Sequence, residues 1–197
     1  MIYFVGLVDV PETFNKERSM KVRLALLTLV SFLGEAGGTE QENGPKIPDD
    51  LKIPAGHVLL FKTQAEGVQI YESKEKDGML VWKFKAPLAF LFRDGKRVGY
   101  HYAGPSWEGS DGSKAQWDNS EKIAGVKSAS PKPAVDWLRI KVKSTGDHKG
   151  KYAAVSYILR LETEGGVIPS LKATRAGMEV GIPYKATYYF YGLGKRK

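Results

Sequence analysis

The sequence predicts an all-β protein, an antiparallel β-sandwich or a closed β-barrel of about 8–9 strands, with an N-terminal signal helix ahead of it. Three observations carry this. From His57 onward, β-prone runs alternate apolar and polar residues with a period of two. Turn dipeptides separate them, among them Asp94-Gly95, Gly104-Pro105, Asp111-Gly112 and Gly165-Gly166. No segment of this region repeats apolar residues at helical spacing. The 10 tyrosines, 8 phenylalanines and 4 tryptophans suit pleated, half-buried surfaces. Each strand must bury one face, and a sandwich and a closed barrel do this equally well.

The chain opens differently. Met20-Lys21-Val22-Arg23 is a short basic segment, and the ten-residue run LALLTLVSFL, from Leu24 to Leu33, follows it. Gly34-Glu35-Ala36 then places small residues where a signal peptidase reads them. The apolar run is too short to cross a bilayer, which takes roughly 20 residues. An amphipathic or buried helix is the alternative reading of the same run. Residues 1–19 precede the signal, so Met20 is the expected translation start. The expected organisation is an upstream extension plus secretory signal peptide over residues 1–36, a polar linker over 37–54 and a single all-β domain over 55–197. The expected location is secreted or periplasmic, with no transmembrane segment in the mature chain.

The domain's elements follow in order. GGTEQENGPKIPDDLKIP, residues 37–54, is polar and rich in Gly and Pro, and reads as a tether that gains order near the domain. HVLLFKTQA and VQIYES read as two strands of a hairpin turning at Glu66-Gly67. MLVWKFK sets Leu80, Trp82 and Phe84 against Val81, Lys83 and Lys85. LAFLF and RVGYHY flank Asp94-Gly95, the preferred centre of a two-residue hairpin; a regular pairing there puts Phe90 opposite Gly99 and His101 on the face of Arg97. Residues 106–134 are poor in apolar residues and read as the longest irregular surface region. In WLRIKVK, Leu138, Ile140 and Val142 alternate with Arg139, Lys141 and Lys143, the pattern of a strand with one wet face. YAAVSYILRLET aligns Val155, Tyr157, Leu159 and Leu161. IPYKATYYFYG supplies the last strand, where Tyr189 and Tyr191 are candidates for a cavity wall or an edge.

Charge and composition exclude several classes. The net charge is +8, and the first 36 residues hold four basic and four acidic groups, so their removal leaves it unchanged. The basic residues are dispersed, which together with export argues against nucleic acid and leaves a weak attraction to anionic envelope surfaces. There is no cysteine, hence no disulfide and no thiolate metal site. His57, His101 and His148 lack metal-ligand spacing, so no metal is expected. No GxSxG elbow and no Gly-rich βαβ unit occur, and no cofactor is expected.

The stretch GYHYAGPSWEGSDGS, residues 99–113, concentrates the candidate chemistry. Tyrosine and tryptophan offer flat apolar faces with polar edges, and glycine lets backbone approach a ligand. A binding surface for a small molecule or glycan formed by His101, Tyr102, Gly104, Trp107, Glu108 and Asp111 is the leading functional reading. A hydrolase or lyase would instead use His101 as general base with Glu108 or Asp111 as partner. A third reading is a structural envelope protein held by charge. In the purely structural reading, Trp107 caps the core and His101 bonds a nearby backbone carbonyl.

PAGHVLLFKTQAEGVQIYES, WKFKAPLAFLFRDGKRVGYHYAGPSWEGSDGS, YILRLETEGGVIP and IPYKATYYFY occur in one order and spacing. This series resembles the secreted bacterial and fungal proteins grouped as domain of unknown function 3455, from about Ile53 to Tyr191. His101 through Glu108 is its most specific part. The resemblance implies an exported single-domain protein and carries no established activity. Members usually hold a cysteine where this chain has Ser73 and another near Leu171 to Ala173, so the resemblance implies a disulfide lost as a unit, at about 2–5 kcal/mol. Arg139 stands where the family carries an apolar residue, which implies a wetter strand face here.

Overall fold

Two Asp-Gly turns start the sheet. A computed structural model describes residues 45–168 and 170–194, and in it Asp77-Gly78 and Asp94-Gly95 both take positive φ at both positions (53° and 73°, 50° and 71°). That is the backbone of the two-residue hairpin whose twist matches paired strands. The turns join β1 (His57–Lys76) to β2 (Met79–Arg93) and β2 to β3 (Lys96–Tyr102). The signal peptide, its upstream extension, the first part of the linker and the terminal Lys195-Arg196-Lys197 lie outside the described residues.

The hairpin expected at Glu66-Gly67 is absent. β1 runs straight through it for 20 residues, and the turn comes only after its end, at Asp77-Gly78. Gly67 serves close approach instead of turning: a Cβ there would collide with the Leu88 carbonyl and the Ala89 backbone of β2. A bulge also moves the β2–β3 register by one residue. Phe90 faces Tyr100, Leu91 faces Gly99, and Phe92 faces Arg97. Phe90 therefore does not cover Gly99, and Arg97 lies over the Phe90 and Tyr100 rings instead of sharing a face with His101.

The region expected to be irregular contains β4 (Ser106–Gly109), β5 (Lys114–Trp117) and β6 (Ala124–Val126). Its apolar residues are few because the strands are only three or four residues long. β7 (Trp137–Ser144), β8 (Tyr157–Gly165) and β9 (Glu179–Leu193) complete nine antiparallel strands among the described residues. β9 pairs back onto β1, and β5 pairs with β7 through Ala115–Ser144, Gln116–Lys143 and Trp117–Val142. Those pairings close the hydrogen-bonded circuit, so the sheet is ring-like and not two separate layers. β6 extends the same edge of β7 through Ala124–Arg139 to Val126–Trp137. Bulges in β1, β2, β3 and β8 bend the strands, the usual device for curving a sheet on itself.

The ring has two cores. Inside lie Leu91, Trp107, Ile140, Val142, Ile158, Tyr188 and Phe190. Outside, Tyr157, Leu159, Leu161, Tyr189 and Tyr191 are covered by Leu51, Ile47 and Ile53 from the end of the linker and by Val126 and Trp137. Leu51 is fully buried in a single 3-10 turn, Asp49–Leu51. Tyr189 and Tyr191 thus belong to this covered outer core, and neither lines an open cavity or an edge. Tyr157, Leu159 and Leu161 share the outer face as expected. Val155 precedes β8 in a turn and packs inside the ring instead.

Ser73 lies against the chain that leads into β9. Its hydroxyl donates to the Arg175 carbonyl (2.6 Å) and accepts from the Met178 amide (2.9 Å). Trp82 Nε1 donates to Leu171 O (2.8 Å) alongside. Hydrogen bonds hold this loop at the position where the resemblance implies a cysteine. Arg139 is only part-exposed: it donates to the Lys52 carbonyl (2.7 Å) and pairs with Glu121 (3.1 Å).

Candidate functional site

β3 and β4 sort the residues of HYAGPSWE onto opposite faces. His101 pairs with Trp107, and both point into the ring; Tyr102 pairs with Ser106, and Tyr100 with Glu108, on the outer face. Gly104, at φ 103°, makes the turn between the strands; a Cβ there would press on Gln116 and on Ser106 Oγ.

Inside the ring, the His101 and Trp107 rings stack at 4.4 Å with 11° between their planes. Tyr188 presents an edge to both, at 5.0 and 5.5 Å. Trp107 is fully buried, and His101 Nδ1 donates to the Ser106 carbonyl at 2.9 Å. Burial holds the imidazole pKa down, to about 3; the Ser106 bond opposes the shift and the charge of Arg160 adds to it. A neutral ring with so low a pKa is a weak general base near neutrality.

The outer face carries a different cluster. Tyr102 donates its hydroxyl to Glu108, and Lys114 lies 5.0 Å over the Tyr102 ring and 4.0 Å from the Glu108 carboxylate. Asp111 is elsewhere again. Its Oδ1 accepts from the Ser113 amide (3.0 Å) and hydroxyl (2.6 Å), and its Oδ2 from the Lys151 amide (2.8 Å). These bonds, the Ser113 hydroxyl first, hold its carboxyl below the usual range. Asp111 borders a small cavity of about 210 Å³ with Phe61, Arg93 and Tyr152, farther along the interior of β1. The six sequence candidates are therefore not one constellation, and His101 is brought to neither Glu108 nor Asp111.

His101 does border a space. A cavity of about 620 Å³ opens at one end of the ring, with His101 and Tyr188 in its lining. Most of the wall is apolar: Phe84 from β2, Leu138 and Ile140 from β7, Ile123 after β5, and Val167 and Ile168 after β8. The β8–β9 loop is pinned over it, since Tyr71 donates to the Gly166 carbonyl at 2.6 Å. At the mouth Lys127 pairs with Asp136 at 3.0 Å. Deeper in the wall, Arg160 donates through Nε (3.1 Å) and Nη2 (2.9 Å) to the Asp136 backbone carbonyl.

Gln69, Arg160 and Tyr188 are the polar wall residues that sequence reasoning missed. Each sits inside a strand whose period already explained it as core or solvated face. The one available signal was Arg160 itself, a charge between Leu159 and Leu161 in the inward register of Ile158. Burial pushes the Tyr71, Tyr184 and Tyr188 phenols up, and Arg160 offsets part of that rise in each. Gln69 Nε2 and Tyr188 Oη are buried with no hydrogen-bond partner of acceptable geometry. No group of three or more His, Asp or Glu able to hold a metal is assembled among the described residues. No helix among them is long and apolar enough to cross a membrane.

Compared with known proteins, residues 54–192 match the model of the family described as Protein of unknown function (DUF3455). No curated protein and no solved structure matches the chain.

Proposed function

The chain belongs to that family of unknown function, and from this premise we propose that it is an exported binding protein that takes a small molecule into the open end of its ring. The observation that carries the reading is the cavity of about 620 Å³ with its apolar wall and a few polar groups. Its size falls in the range of about 300–1,000 Å³ typical of small-molecule sites, and so does its chemistry. An apolar wall favours a compact apolar body over a glycan, whose hydroxyls would each need a partner. His101 stays in this reading as part of the wall, with Trp107 packed behind it. Tyr102, Glu108 and Asp111 leave it, because they do not border the cavity. Catalysis has no support of this kind.

The test uses the neutral fluorescent probe N-phenyl-1-naphthylamine. Wild-type protein should take it up saturably, one per chain. Ala134→Trp, which fills the mouth from the β6–β7 loop without touching the core, should abolish uptake and leave the thermal midpoint within a few degrees. No saturable uptake, or equal uptake by the variant, would overturn the proposal.

A further inference from the structure

Among the described residues Arg160 has no carboxylate counter-ion. It stands on β8 in the cavity wall, where Nε and Nη2 donate to a backbone carbonyl, Asp136 O, and the Tyr188 hydroxyl lies alongside. The Asp136 side chain is the acidic member of the cavity wall, and Lys127 holds both of its oxygens, at 3.0 and 3.2 Å. No ion pair joins Arg160 to any carboxylate among the described residues. His101 is neutral near pH 7 and contributes no charge. Counting the wall residues, the Lys127–Asp136 pair cancels and Arg160 leaves the cavity one positive charge in excess.

A charge facing an apolar space is costly unless something pairs with it. The Asp136 carbonyl takes Nε and Nη2, and the buried Tyr188 hydroxyl lies beside the guanidinium; the remaining Nη hydrogens are of the kind that take a planar carboxylate in charge-assisted bonds. One excess charge matches a monoanion; a phosphate dianion would require a second cation. The apolar wall of Phe84, Ile123, Leu138, Ile140, Val167 and Ile168 surrounds the remainder of such a molecule.

We infer that the cavity selects an amphiphilic monocarboxylate, its carboxylate on Arg160 and its apolar body against the wall. This rests on the small-molecule reading above and adds the ligand class to it. Overall positive charge favours approach of such an anion, as a secondary contribution.

Calorimetric titration with decanoate, decyl phosphate and decanol tests it. Decanoate should bind wild-type protein at least about tenfold more tightly than decanol, the size of effect expected of a charge-assisted bond, and more tightly than decyl phosphate. In Arg160→Met the preference for decanoate over decanol should fall to within about twofold. The wild-type comparison decides the matter even where that variant does not fold. Probe uptake without a carboxylate preference, retention of the preference in Arg160→Met, or tighter binding of decyl phosphate each overturns this inference and leaves the small-molecule reading standing. Failure of all four compounds to bind wild-type protein overturns both.

Discussion

Acidification is the perturbation that reads the interior most directly. His101 has an ordinary pKa of 6.5 and is held at about 3 in the folded protein by burial against Trp107 and Tyr188. The folded state therefore binds the imidazole proton less well than the unfolded chain. The sign follows: the contribution is fully present above pH 6.5 and is lost progressively as pH falls toward 3. Between pH 7 and 4.5 the loss works out at about 2–3 kcal/mol, from 1.36 kcal/mol per pH unit below the unfolded pKa. Stopping at 4.5 keeps out the lowered carboxyls of Asp111 and Asp118, whose contributions are lost only around and below their ordinary value of 3.8. Urea unfolding at the two pH values should show this loss in wild-type protein. His101→Gln is less stable at both, because the ring stack is gone, but the side chain can still donate to the Ser106 carbonyl and does not titrate. Its stability should change by less than about 1 kcal/mol over the same interval. Equal losses in the two proteins, or a flat wild-type profile, would refute the placement of a neutral imidazole inside the ring.

Two further outcomes bear on the architecture. Trp107→Ala should cost about 3–5 kcal/mol in urea unfolding, because the indole is fully buried and stacked on His101; a loss below about 1 kcal/mol would place the ring outside the core. Ser73→Ala strands the Met178 amide and the Arg175 carbonyl, and should cost about 1–3 kcal/mol and speed proteolysis between Leu171 and Met178; unchanged cleavage would show that the serine does not hold that loop.

Signals confined to a few residues were read correctly. Asp94-Gly95 is a two-residue turn because positive φ at two successive positions demands such residues, and that demand is visible without any neighbour. Leu138, Ile140 and Val142 face inward because a strand alternates whatever it pairs with. The same local logic misread Glu66-Gly67. A glycine that turns the chain and a glycine that lets a neighbouring strand approach look alike in sequence, and only the collision of a Cβ with the Leu88 carbonyl tells them apart. The β2–β3 bulge was equally hidden, since one extra residue, Val98, changes which side chains face each other without altering composition.

The sequence by itself determined the all-β class, the Asp94-Gly95 turn and the inward stripe of most strands, because periodicity and φ preference act over two to four residues. The tertiary structure alone decided that β5 meets β7 and closes the ring, that His101 and Trp107 stack inside while Tyr102 and Glu108 bond outside, and that Arg160 lines a cavity with no carboxylate partner among the described residues. Each of these depends on strands far apart in the chain lying in register. Nothing in the composition of either partner records that pairing.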